Sequence, residues 1–168
     1  MKVENLTDET INDVIQKYKN TVYGLAFTNT GNKHDAEDIF QEVFLLYFTK
    51  GVHFDNETAR KMWLVRTTVN KCRQSKFSTW NMRVDKLENL DDIQTVEFES
   101  SEESSVYTAV MELPENYRLP VYLYYFIGMS VKEIAAVLHV RSNTVNVRMT
   151  RARNILKEKL KEDYFNEK

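Results

Sequence analysis

Apolar side chains recur along much of this chain at steps of three and four, the period of a helix that buries one face. Ile11, Val14, Ile15, Tyr18, Val22, Leu25 and Ala26 form the first such run and predict an amphipathic helix to about Asn29. Thr7 stands where a hydroxyl can cap it, with Leu6 before it able to pack on Ile11 as a hydrophobic staple. The tetrad Asn29-Thr30-Gly31-Asn32 stops it. A second helix is expected from about Asp35 to Thr49, with Asp35, Glu37 and Asp38 near its positive end. Its stripe of Ile39, Phe40, Val43, Phe44 and Tyr47 reads as core.

Gly51-Val52-His53-Phe54-Asp55 is a connection, after which Asn56 can cap a third helix reaching roughly Ser75. Ala59, Met62, Trp63, Arg66, Val69, Asn70 and Arg73 give that helix a mixed apolar and basic face. Between Asp85 and Ser105 acidity is high and periodicity weak, so a flexible linker is the simplest assignment. Beyond it come a short helix over Val106–Leu113, another over Tyr117–Phe126 with Leu119, Val121, Leu123 and Phe126 as core candidates, and a break at Gly128. Ser130 followed by Glu133 is a capping box that opens a helix with Ile134, Ala135, Val137 and Leu138 on its buried side. Leu138-His139-Val140 is a turn. The last helix begins at Arg141 or Ser142 and turns Val145, Met149, Ala152, Ile155, Leu156 and Leu160 inward.

Composition agrees. Only four Gly and two Pro occur in 168 residues, where average usage gives about 20 of the two together. That shortage disfavours sandwiches and glycine-rich nucleotide folds. The expected fold is all-α, with two small helical domains at 1–83 and 105–168 joined by a flexible acidic linker at 84–104, and a C-terminal helix-turn-helix.

Net charge of -2 conceals strong segregation. Residues 1–55 carry 5 basic and 9 acidic side chains, and 56–83 carry 7 and 1. Residues 84–107 carry 1 and 8, and 108–168 carry 10 and 7. Charge runs often do no more than solvate helix faces. Here two basic regions flank an acidic spacer, which also fits two anion-binding surfaces.

The last helix and the one before it, joined by a short turn, have the pattern that presents a recognition helix to a major groove. Asn143 and Asn146 can pair with base edges, Arg148 can reach a guanine edge or a phosphate, and Arg151 and Arg153 suit phosphate. A helical hairpin with a soluble basic face is the plainer alternative. Around Trp63, aromatic and basic residues interleave, as suits unstacked bases, although Trp63 and Trp80 can equally be core. Arg60, Lys61, Arg66, Lys71, Arg73, Lys76 and Arg83 are almost uninterrupted by acid.

No enzyme is expected. His34, His53 and His139 are scattered, Cys72 has no cysteine partner for a disulfide or metal site, and no phosphate-cradling GxxxxGK[ST] loop occurs. Asp35, Glu37, Asp38 and Glu42 lack calcium-loop spacing. Neither a metal nor another cofactor is implied. No 18-residue apolar run is present to cross a bilayer, and Glu4 and Asp8 stand where a signal peptide would be apolar, so a cytoplasmic chain without membrane insertion is expected.

Three segments carry a family resemblance over nearly the full length. Asp35-Ala36-Glu37-Asp38-Ile39-Phe40-Gln41-Glu42-Val43-Phe44 is similar to the region-two segment of extracytoplasmic-function sigma factors that docks on the polymerase clamp helices. Trp63-Leu64-Val65-Arg66-Thr67-Thr68-Val69-Asn70-Lys71-Cys72-Arg73 resembles the segment that melts and reads the promoter minus-ten element. Leu113-Pro114, Ser130-Val131-Lys132-Glu133-Ile134-Ala135 and Thr144-Val145-Asn146-Val147-Arg148-Met149-Thr150-Arg151-Ala152-Arg153 resemble region four, the minus-thirty-five reader.

The resemblance implies a sigma factor that binds core RNA polymerase at the clamp helices and flap and directs promoter-specific initiation. It implies polymerase contacts at Asp35, Asp38, Gln41 and Glu42. Minus-ten contacts fall on Arg60, Trp63, Arg66, Asn70, Arg73 and Lys76, with an unpaired base captured near the loop Gly51–Asn56. Minus-thirty-five contacts fall on Asn143, Thr144, Asn146, Arg148, Arg151 and Arg153. Promoter DNA and an anti-sigma factor are the further implied partners. The chain departs from the family pattern at Gln74-Ser75-Lys76-Phe77, where relatives often have an Asp and more Arg. It departs again at Leu138-His139-Val140-Arg141, which puts His139 at a position suited to positive φ and moves the cap to Ser142, and at Asn146-Val147-Arg148 in place of Lys-Ser-Arg. The alternative is a helix-turn-helix regulator that does not join polymerase.

Overall fold

A computed structural model describes the backbone of residues 10–79 and 101–166 and the side chains of 10–75 and 105–161. Among the described residues all regular structure is helical: α1 Ile11–Thr30, α2 Lys33–Lys50, α3 Glu57–Thr79, α4 Ser101–Met111, α5 Glu115–Tyr125, α6 Val131–Leu138 and α7 Ser142–Asn166. The chain divides into two compact units, Met1–Glu88 and Asn89–Lys168.

In the first unit α1, α2 and α3 pack against one another. The cap of α1 is Thr10, not Thr7, which lies with Leu6 outside the described residues. Thr10 and Asp13 form a capping box, in which each side chain satisfies the other's backbone N–H. Gly31 ends the helix at φ 64°, a left-handed conformation that glycine adopts at little cost, and its N–H donates to the Phe27 carbonyl at 2.7 Å. Asn32 then caps α2 by accepting from the Asp35 N–H at 3.0 Å. Ala36, Ile39, Val43 and Phe44 are the buried side of α2, whereas Phe40 and Tyr47 are half-buried.

The expected face of α3 needs correction. Arg60, Leu64, Val65, Thr68, Val69 and Cys72 are buried, while Ala59, Met62 and Trp63 are only half-buried and Arg66 and Asn70 are exposed. Apolar residues occur on both sides of this helix, and α1 and α2 select the side with Leu64 and Val65. Asn56 does act as cap, accepting from the Ala59 N–H at 2.8 Å.

In the second unit α7 packs against α4, α5 and α6. Helix α4 begins at Ser101, which removes the last four residues, 101–104, from the expected linker; residues 80–100 lie outside the described residues. Helix α5 starts earlier than expected, at Glu115, and contains Pro120, which forfeits one intrahelical hydrogen bond. Around the centre of the unit Tyr107, Met111, Leu123, Ile134, Val145 and Met149 are almost fully buried.

The capping box of α6 is present, with the Ser130 N–H donating to Glu133 at 2.8 Å and the Glu133 N–H to Ser130 Oγ at 3.2 Å. His139 ends α6 in the left-handed region at φ 54° and ψ 44°, and its N–H donates to the Ala136 carbonyl. After two further residues, Val140 and Arg141, the chain re-enters helix. Ser142 is the first helical residue of α7 and not its cap, because it is the Arg141 carbonyl that accepts the Val145 N–H.

Candidate nucleic-acid interfaces

Helix α2 presents Asp38, Gln41, Glu42 and Leu45 at steps of three, one and three on an exposed face. Leu45, which sequence reasoning missed, is 65% exposed. Asp35 is half-buried in the first turn. His34 Nδ1 lies 3.3 Å from Asp38, and Glu42 lies 3.3 Å from Lys71 Nζ of α3, so this acidic face carries an ion pair of its own at Glu42. Ligand atoms of His34, Asp35 and Asp38 fall within 4.8 Å of one another. They stand at the positive end of the helix dipole, which opposes a cation.

On α3, Arg66 and Asn70 are exposed four residues apart, with Gln74 one turn further on. Trp63 and Arg73 are half-buried beside them. Trp63 meets Tyr47 and Phe54 edge-on at centroid distances of 5.9 and 6.0 Å, while Tyr47 and Phe54 stack at 5.9 Å with 8° between their planes. Phe54, read from sequence as part of a connection, therefore holds the loop Gly51–Asn56 against α2 and α3. The side chain of Lys76, together with Trp80 and Arg83, lies outside the described residues.

Arg60 is a correction. Its side chain is 1% exposed and cannot reach DNA. Its Nη2 lies 3.3 Å from Glu57, whose carboxylate also accepts from the Tyr18 hydroxyl and sits 3.1 Å from Lys17 Nζ. Partial burial pushes the Glu57 carboxyl up, but the Tyr18 hydroxyl, Lys17 and Arg60 outweigh it and hold the group below its ordinary range. Arg60 thus belongs to a knot that ties the start of α3 to α1. Sequence spacing offered only the Glu57–Arg60 step, not the α1 partners.

On α7 the buried Val145, Met149 and Ala152 define the inner side. The opposite side holds Asn143, Val147, Thr150, Arg151 and Asn154, all exposed. Thr144 and Arg148 are half-buried on one flank, and Asn146 is exposed on the other. Two helical steps separate Asn146 from Arg148 by about 200° around the axis, so they face opposite walls of anything that receives the helix. Arg153 is exposed but engaged, its Nε donating to the Tyr125 hydroxyl at 2.9 Å. Val147, Thr150 and Asn154 were missed by sequence reasoning. Their placement follows from helical period opposite the inner stripe of Val145, Met149 and Ala152.

Residues 14–82 match the Sigma-70 region 2 family, and residues 104–156 match Sigma-70, region 4. RNA polymerase sigma factor SigV of Bacillus subtilis (strain 168) is 30% identical over 174 residues, spanning 97% of this chain and 99% of the relative. ECF RNA polymerase sigma factor SigW of the same organism is 27% identical over 169 residues, spanning 89% and 88%. Among solved structures, the sigma factor RpoE in complex with the anti-sigma factor NepR from Bartonella quintana is similar at a TM-score of 0.64 and 20% identity, over 89% of this chain and 96% of that one. CnrH in complex with the cytosolic domain of CnrY gives a TM-score of 0.59 at 21% identity, over 91% and 88%. The structural likeness speaks for the fold alone. With both regions matched in order and a 30% identical relative covered end to end, the chain belongs to the ECF family of RNA polymerase sigma factors, which are not enzymes.

Proposed function

We propose that this chain binds core RNA polymerase and directs initiation at promoters through two DNA-reading surfaces, one in each compact unit. The observation that carries the reading is the exposed, acid-free face in each matched segment: Arg66 and Asn70 on α3, and Asn143, Thr150 and Arg151 on α7. The α2 face with Asp38, Gln41 and Glu42, and Asp35 at its edge, is the polymerase contact. Trp63, Arg66, Asn70, Arg73 and Lys76 serve the minus-ten element, with a base captured near the loop that Phe54 anchors. Extruding that base costs a few kcal/mol, which contacts around Trp63 offset. The unit from α4 to α7 is a helix-turn-helix module whose α7 enters the minus-thirty-five major groove, with the acidic segment before it as tether. Asn143, Thr144 and Asn146 supply polar contacts, and Arg148, Arg151 and Arg153 are cations for the phosphate walls. The RpoE and CnrH structures contain partner proteins, and in RpoE the partner is an anti-sigma factor; we extend that kind of regulator to this chain, which we place in the cytoplasm.

Reconstitution with core polymerase, run-off transcription and sequencing of transcript starts tests the reading. Defined starts that depend on the chain are expected, and the Asp38→Ala, Glu42→Ala double variant is expected to lose polymerase capture. Arg148→Ala is expected to weaken binding to a minus-thirty-five duplex and to lower the salt slope by about one. Duplex binding with no polymerase capture by the unaltered chain overturns the proposal in favour of a regulator that acts alone.

A further inference from the structure

Val147 is the sixth residue of α7 and 40% exposed. Single exposed apolar residues are ordinary on protein surfaces, so exposure alone says nothing. Its surroundings say more. On the face opposite the buried Val145, Met149 and Ala152, Val147 is framed by Asn143 four residues before, Thr150 three after and Arg151 four after, all exposed. No acidic residue occurs from Ser142 to Lys157, a stretch that holds Arg148, Arg151, Arg153 and Lys157. Valine is also a poorer helix former than alanine at a solvent-facing site.

A β-branched apolar group at the centre of a polar and cationic face, in the first two turns of a helix, is matched to the one apolar feature of a major-groove floor. That feature is the C5-methyl group of thymine, and neither cytosine nor a purine edge offers an equivalent. We infer that Val147 is a specificity-determining residue that selects thymine at one position of the duplex read by α7. The inference rests on the assignment of α7 to duplex DNA made above. The flanking polar and basic residues hold the backbone and the neighbouring base edges, and the isopropyl group covers the methyl.

The full chain and its Val147→Ser variant are each used to select duplexes from a randomised pool, at fixed salt. The unaltered chain is expected to enrich thymine at one position that Val147→Ser no longer distinguishes, with preferences elsewhere in the site retained. In the selected duplex, uracil in place of that thymine removes only the methyl group. It is expected to weaken binding of the unaltered chain roughly three- to fourfold, the effect of burying one methyl, and to leave Val147→Ser unchanged. Equal thymine-to-uracil ratios for the two proteins, or an unchanged preference in the variant, overturn the inference while leaving duplex recognition by α7 intact. If the unaltered chain enriches no sequence at all, duplex reading by α7 and the role of Val147 fall together. Alanine at position 147 controls for helix content and, being apolar but smaller, is expected to give a thymine-to-uracil ratio between those of the unaltered chain and Val147→Ser.

Discussion

The α1–α3 unit and the α4–α7 unit hold their helices in different ways. In the first, two of the three long helices bury polar groups, Thr28 and Asn29 on α1 and Arg60 and Thr68 on α3. Thr28 and Thr68 satisfy their hydroxyls within their own helices, on the carbonyls of Gly24 and Leu64, each at 2.7 Å. Arg60 instead requires Glu57, with Tyr18 and Lys17 behind it. In the second unit the described buried residues are apolar or aromatic, and polar bonds gather at helix ends. Ser130 and Glu133 close the start of α6, His139 closes its end, and Arg118 Nη1 donates to the Met111 carbonyl at the end of α4, at 3.1 Å. Short helices make this unavoidable. A helix of 8 residues, such as α6, leaves as many backbone groups unpaired at its ends as one three times longer, so its caps, each worth about 1 kcal/mol, weigh more.

Cutting the packed core of the first unit gives the largest expected effect on this contrast. Leu64 is fully buried, and Leu64→Ala is expected to destabilise the α1–α3 unit by about 2–5 kcal/mol. Both tryptophans, Trp63 and Trp80, lie in the Met1–Glu88 unit, so denaturant titration by fluorescence reports it selectively. Hydrogen exchange in α7 peptides is expected to stay unchanged. Equal loss of protection in both units would show that they unfold as one and break the comparison.

A change at a helix end tests the second unit with the opposite sign. His139→Gly relieves a non-glycine residue of its left-handed backbone and is expected to stabilise α6 and α7 by about 0.5–1 kcal/mol, after the added chain entropy is subtracted. Slower exchange in α6 and α7, with unaltered tryptophan fluorescence midpoints, is the expected result.

The smallest effect is electrostatic. Glu57 is held below its ordinary value of 4.5, so the folded first unit binds fewer protons than the unfolded chain around that pH. Its contribution is complete above 4.5 and is lost as pH falls through the lower folded value. Solvent reaches nearly half of the Glu57 side chain, which keeps the effect modest. Glu57→Gln is expected to flatten this part of the acid titration of tryptophan fluorescence, and an unchanged acid limb would remove Glu57 from the knot.

Much of the architecture is legible in the sequence, because local chemistry sets helix ends. Gly31, Asn56, the Ser130–Glu133 pair and the left-handed turn at His139 act within a few residues of themselves, and each stands where its spacing puts it. Thr10 took the place expected for Thr7 because two hydroxyl-bearing candidates lay three residues apart and only Thr10 has Asp13 to complete a capping box. The acidic and basic segments, and the family motifs within them, are equally properties of the chain as written.

What a helix turns toward its neighbours was decided elsewhere. Apolar residues on both sides of α3 left its buried face open until α1 and α2 packed on Leu64, Val65 and Val69. Arg60 reads as one more cation in a basic run, yet Glu57 and the α1 residues Tyr18 and Lys17, about forty positions away, turn it into a buried structural charge. On α7, by contrast, the apolar stripe is one-sided, so the inward Val145, Met149 and Ala152 were legible in the sequence and helical period then places Val147 between Asn146 and Arg148 on the outer side. Sequence specifies which residues share a helix face; burial, which depends on contacts between distant segments, specifies which face meets solvent and which meets the core.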